Sequence, residues 1–279
     1  AKYLLEKPEV IQKIHETYVA AGADLITTSS YQATLPGLID AGLTKEESEQ
    51  IIASTVQLAK NARDKVWATL DDSEKAKRPY PLISGDVGPY AAYLANGSEY
   101  TGDYGQIIIE ALKEFHRPRI QILLDHGVDL LALETIPNYL EAQALIELLA
   151  EEFPEAEAYI SFTVQEPGTI SDGTSLDEIA QLVSQSDQIL ALGINCSSPL
   201  LYNQALTILK NAGKALITYP NSGEVYDGST QTWKPKDKDA LTLVEHSKDW
   251  HAQFGVKILG GCCRTRPNDI KALYTEFRT

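Results

Sequence analysis

The chain has 279 residues, 43% of them hydrophobic, enough to bury a large core and within the length that α/β barrels reach as one domain. Its net charge of −15 argues against nucleic acid and anionic membranes as partners and favours a cationic small molecule. No apolar run approaches the roughly 18 residues of a membrane span and no signal peptide is recognised, so the expected setting is the cytoplasm.

Helix and strand alternate along the chain. Residues 8–21 predict a helix opened by Pro8, a favoured first-turn residue, leading to a strand at 24–28. An amphipathic helix at 45–70 precedes a charged loop at 71–78, a strand at 81–86, and a loop rich in Gly, Pro and Tyr. A helix at 106–126, which Pro118 should kink or restart, leads to a strand at 128–134. Asn138 can cap the next helix, ahead of a strand at 158–163. The second half repeats the pattern, with helices at 175–184, 201–212 and 239–254. These lead to strands at 189–195, 215–219 and 256–259, and a last helix follows Pro267.

The strands are short and nearly all apolar, as strands covered on both faces are. Seven strands, each preceded by a helix, predict an α/β fold of the (β/α)8 TIM-barrel type as a single domain over residues 1–279. The first strand is expected upstream of Ala1, because the chain opens beside a helix and contains no methionine. An open doubly wound sheet is the alternative, but no G-x-G-x-x-G turn supports it.

Barrel sites gather at the C-terminal ends of the strands. Those ends carry Tyr31, Asp86 and Tyr90, Glu134, Asn195 and Cys196, Tyr219, and Cys262 and Cys263. All three cysteines therefore fall on one face of the barrel. Three thiolates from two strand ends make a zinc site with its fourth position open to a substrate; three small buried hydrophobes are the competing reading. An odd number of cysteines, two of them adjacent, points to thiols in a reducing compartment rather than disulfides. The five histidines all fall in helical stretches and read as surface or packing residues.

At these residues the chain resembles the homocysteine S-methyltransferase family, through GINCSSP at 193–199, YPNSGEVYD at 219–227 and GGCCRT at 260–265. The stretches ITTSSYQAT at 26–34, GDVGPYAAYLANGSEYTGDY at 85–104, FHRPR at 115–119 and ETIPN at 134–138 resemble the branch that uses S-methylmethionine. The resemblance implies that Cys196, Cys262 and Cys263 hold Zn(2+) and that Glu134 receives the ammonium of L-homocysteine. Asn195 is a candidate at the same head group. A sulfonium methyl donor suits aromatic faces such as Tyr31, Tyr90 and, in the loops, Tyr93, Tyr100, Tyr104, Tyr219 and Trp233. Asp86 either adds charge complementarity or caps a turn. The expected reaction moves a methyl group from S-methylmethionine, or from S-adenosylmethionine, to the homocysteine thiolate. The alternatives are a betaine donor, a selenocysteine acceptor, or a zinc- and thiol-binding barrel without catalysis.

Overall fold

A computed structural model describes residues 2–227, 232–234 and 240–278, with side chains described for 2–224 and 240–278. Seven strands form one parallel, curled sheet in the order β1 (Leu25–Thr27), β2 (Leu82–Val87), β3 (Leu130–Ile136), β4 (Ala158–Phe162), β5 (Ile189–Asn195), β6 (Ala215–Tyr219) and β9 (Ile258–Leu259). Between β6 and β9 the chain forms a small antiparallel hairpin of β7 (Val225–Asp227) and β8 (Thr232–Lys234), which the hydropathy pattern did not announce.

Strand alternation sorts the side chains into two layers. Leu131, Leu133, Ile160, Leu192, Ile194 and Leu216 join the core between sheet and helices. Ala132, Tyr159, Ala191 and Ile217 meet on the inner face of the curl, with Leu25, Leu130 and Ile258 against them. That inner plug is small and apolar. Above it, toward the C-terminal ends of the strands, the inward positions turn polar: Asp86 lies opposite Ala132 in the register, and Glu134 stands two residues beyond Ala132.

Local chemistry explains most element boundaries. The helix Lys45–Thr69 starts at a capping box between Thr44 and Glu47, and Leu176–Ser184 starts at one between Ser175 and Glu178. Asn138 caps Tyr139–Glu152, as expected. The helix Ile109–Asp125 runs across Pro118 as one element rather than restarting there. The charged segment expected as a loop after the helix at 45–70, residues 71–78, holds a short helix, Asp72–Lys75, with its own capping box. The last helix, Pro267–Arg278, packs on Pro8–Ala21. The Tyr274 ring covers Gly22, and Arg278 reaches Asp24 at 3.0 Å. The helical layer is thus continuous across the two edge strands, β1 and β9, which are not paired with each other among the described residues.

Candidate metal centre and acidic pocket

Three loops at one end of the sheet bring the cysteines together. Cys196 follows β5 in a left-handed conformation, φ +48°, and its N–H donates to Tyr219 O at 3.2 Å. After β9, the N–H of Cys262 donates to Pro220 O at 2.7 Å and that of Cys263 to the Asn221 side chain at 3.2 Å. Thr265 folds back so that its hydroxyl donates to Cys262 O at 2.7 Å. This packing leaves no room for a side chain at Gly261, where a Cβ would stand 2.5 Å from Thr265 Oγ1. The loops after β5, β6 and β9 are therefore hydrogen-bonded to one another, and the turn needs the glycine.

The result is a compact sulfur cluster. Cys196 Sγ and Cys263 Sγ are 3.5 Å apart, and all three sulfurs lie within 4.8 Å of one another. Tetrahedral zinc, with Zn–S bonds of about 2.3 Å, spaces its sulfurs by about 3.8 Å. The donor set also wants a cation on chemical grounds. Hydrogen bonds from Cys196 and Cys262 pull the Cys263 thiol far below its ordinary range, while Cys262, bonded to both partners, is held well above it. Three thiolates this close repel one another, and a positive ion between them relieves that repulsion. The residues fit a thiophilic ion and supply three ligands, leaving a fourth position.

Beside the cluster lie two carboxyls on the inner face. Glu134 is partly exposed, and Asp86 is 4% exposed. Burial raises Glu134 to about 7, opposed by hydrogen bonds from the Tyr219 hydroxyl and from Asp86. Burial and then the charge on Glu134 drive Asp86 well above the usual carboxylate range. The Asp86 carboxyl faces Glu134, and no turn-capping bond to it is formed among the described residues. The Tyr219 hydroxyl also bonds Ser161, so Glu134 is held by a chain of hydroxyls from β4 and β6.

The other expected residues divide. Tyr31 is drawn to the site: its ring packs on Gly88, where a Cβ would come within 2.5 Å of it, and its hydroxyl bonds Thr135. Tyr90 sits in an aromatic cluster instead, with ring centroids 4.9 Å from Phe115, 5.4 Å from Tyr104 and 5.8 Å from Tyr93. Tyr100 is exposed, and the side chain of Trp233 lies outside the described residues. Asn195 is fully buried, and its amide is engaged by Thr135. Its Oδ1 accepts from Thr135 N at 3.0 Å and its Nδ2 donates to Thr135 Oγ1 at 2.8 Å. Both polar atoms of Asn195 are thus engaged by the residue after Glu134.

Two features escaped the sequence. Thr135 is β-branched yet adopts φ +64°, beside a register shift in β3; such a conformation persists only where its surroundings enforce it. A fully buried relay also supports the loops. Arg119 donates to Ser30 O, to Tyr31 O at 2.9 Å and to Gly88 O at 2.5 Å, and its Nη2 approaches His116 Nδ1 at 3.1 Å. His116 Nε2 meets Glu141 Oε1 at 2.8 Å, and Glu141 accepts from Tyr90 N and from the Tyr104 hydroxyl. Burial lowers the His116 pKa, so a neutral imidazole, accepting from Arg119 and donating to Glu141, links the two charges. His116 is a packing residue, as expected of the histidines, but a buried polar one. The signal available was FHRPR itself, which places His116 and Arg119 three apart on one helix face.

Comparison with known proteins agrees with this geometry. The homocysteine S-methyltransferase family model matches residues 1–277. The chain is 44% identical over 281 residues to homocysteine S-methyltransferase YbgG of Bacillus subtilis, covering 100% of this chain and 87% of that one. It is 40% identical over 288 residues to selenocysteine methyltransferase of Astragalus bisulcatus, covering 98% and 84%. The metallated form of the homocysteine methyltransferase MmuM from Escherichia coli superposes with a TM-score of 0.85 at 42% identity, over 99% of this chain and 87% of that one. A barrel-type curled sheet, three sulfurs at its C-terminal end and family similarity along its whole length lead to one conclusion: the chain belongs to the homocysteine S-methyltransferase family.

Proposed function

We propose that this protein transfers a methyl group from S-methylmethionine to the thiolate of L-homocysteine, releasing two molecules of methionine, with Zn(2+) as its metal. The observation that carries the reading is the placement of three sulfurs within 4.8 Å of one another beside the inward carboxylate Glu134. Zinc held by Cys196, Cys262 and Cys263 supplies a Lewis acid that favours the thiolate of an incoming thiol at neutral pH. Glu134 receives the α-ammonium of the acceptor, held by the Tyr219 hydroxyl and by Asp86. Tyr31 offers an aromatic face for the sulfonium, which attracts a cation without a fixed charge that would trap it.

The bonds made and broken need little proton transfer. The acceptor sulfur forms a bond to the methyl carbon as the carbon–sulfonium bond breaks. The electron pair goes to the donor sulfur, which leaves as a neutral thioether. The chain's residues therefore act through alignment, and alignment of two bound reactants is worth several orders of magnitude in rate. We place the reaction in the cytoplasm, where thiols stay reduced; among the described residues no helix is long and apolar enough to cross a membrane.

The test is metal content by mass spectrometry, with methionine production measured for the protein and its Cys263→Ser variant. One zinc per chain and turnover, both lost in the variant, are expected. Turnover with S-adenosylmethionine or betaine but not S-methylmethionine would overturn the donor. Preference for selenocysteine would overturn the acceptor, and zinc without turnover would leave a thiol-binding barrel.

A further inference from the structure

Asp86 is the one carboxyl among the described residues with a buried oxygen that lacks a hydrogen-bond partner. It is 4% exposed, its Oδ1 is buried without a hydrogen-bond partner, and its other contact is the carboxyl of Glu134. Arg119, whose positive charge acts on Asp86, directs its Nη hydrogen bonds to the carbonyls of Ser30, Tyr31 and Gly88 and to His116, and its Nε is buried without a partner among the described residues. Tyr31 and Tyr159 also face it, and both are phenols kept protonated by burial.

Two touching carboxyls in a buried site do not both ionise, because like charges at hydrogen-bond distance repel and neither forms an ion pair among the described residues. The orphaned Oδ1 decides which one keeps the proton. A buried carboxylate oxygen without a donor forfeits a charge-assisted hydrogen bond, whereas the carbonyl oxygen of a neutral acid loses much less. Glu134, by contrast, accepts from the Tyr219 hydroxyl as an ionised group should.

We propose that Asp86 is a positioning residue of the ammonium subsite: its carboxyl stays protonated and donates a hydrogen bond to Glu134, fixing that carboxylate for the ammonium of the acceptor. The site then presents a single negative charge to a single ammonium, with Asp86 and Tyr219 as the two donors that set its direction. The acceptor class that follows is a thiol bearing an α-ammonium, in preference to a thiol without one. The proposal rests on the reading of Glu134 as the ammonium anchor.

The experiment uses the zinc-loaded protein with two acceptors, homocysteine and 4-mercaptobutanoate, which lacks the amine. Asp86→Ala is expected to raise KM for homocysteine about tenfold, the loss of one hydrogen bond to a charged group, with kcat kept within about twofold. The Asp86→Asn variant, which retains a donor, should recover most of that loss. KM for 4-mercaptobutanoate should stay in place in both. Infrared difference spectra of the substrate-free protein, taken on the alkaline side of neutrality, should show the C=O stretch of a protonated carboxyl in the wild type and not in Asp86→Asn. That measurement stands even if Asp86→Ala does not fold. An Asp86→Asn variant as impaired as Asp86→Ala, equal losses for both acceptors, or a band that survives in Asp86→Asn would each overturn the proposal. Glu134→Gln should abolish the preference for homocysteine over 4-mercaptobutanoate. If it does not, the anchor reading fails, while the infrared band still reports on the Asp86 proton.

Discussion

Asn195→Ala removes the side chain that holds Thr135. Two hydrogen bonds, at 3.0 and 2.8 Å, are lost from a fully buried position, and the N–H of Thr135, itself 5% exposed, is left without its acceptor. An unsatisfied buried N–H costs about 1–3 kcal/mol and the second bond contributes about 1, so a loss of roughly 2–4 kcal/mol is expected. Thr135 sits at φ +64°, a conformation that itself costs on the order of 1–3 kcal/mol for a non-glycine residue. Without the amide that conformation relaxes, and the relaxation turns the peptide that aims Glu134. The assay is urea unfolding of the wild type, Asn195→Ala, Thr135→Ala and the double variant, with homocysteine KM measured on each. A coupling energy above about 1 kcal/mol and a raised KM are expected of residues that share these bonds. A stability loss under about 0.5 kcal/mol would refute the clamp. A normal loss with unchanged KM would show that the clamp supports the fold but not the site.

Three further outcomes follow from the same structure. A Cβ at Gly193 would lie 1.7 Å from Ile217 O, on the neighbouring strand, so Gly193→Ala should cost more than about 3 kcal/mol and abolish soluble expression or a cooperative melt. His15 is 7% exposed, and burial lowers its pKa to about 4 from an ordinary 6.5. Below the unfolded value the unfolded chain binds more protons, so the neutral ring stabilises fully above about pH 6.5, and that contribution is lost progressively as pH falls toward 4. The amount is roughly 3 kcal/mol, and His15→Phe should flatten the slope of stability between these values. Chelation of bound zinc should lower the melting temperature in proportion to the logarithm of chelator-buffered metal; an unchanged melt in chelator would refute a metal held by the three cysteines.

The fold was legible because strands covered on both faces advertise themselves as short apolar runs, and because Ser, Thr and Asn stand where helices begin. Placing Cys196, Cys262 and Cys263 at strand ends was enough to bring them to one face, and the structure gathers them into one cluster. The pocket was less legible. Asn195 reads as a free amide at a strand end, since nothing in the sequence says that a threonine opposite takes a left-handed conformation. Arg119, His116 and Glu141 lie in helical stretches whose charges normally face water, and only the packing of two helices over the loops after β1 and β2 buries them. Tyr90 illustrates the reverse case: a loop aromatic that looks like a ligand for a cation packs on Phe115.

The strand that delivers two of the three sulfurs is also the shortest in the sheet: β9 is two residues long, half-buried and at an edge. Backbone pairing alone holds such a strand weakly, so β9 is expected among the elements that open most readily by local fluctuation. An ion gripped by Cys196 on one side and by Cys262 and Cys263 on the other would tie that edge to β5 across 67 residues of chain. Amide hydrogens from β9 through the last helix should then exchange with solvent at a rate governed by metal occupancy, while those of β3 to β5 exchange at the rate of global unfolding.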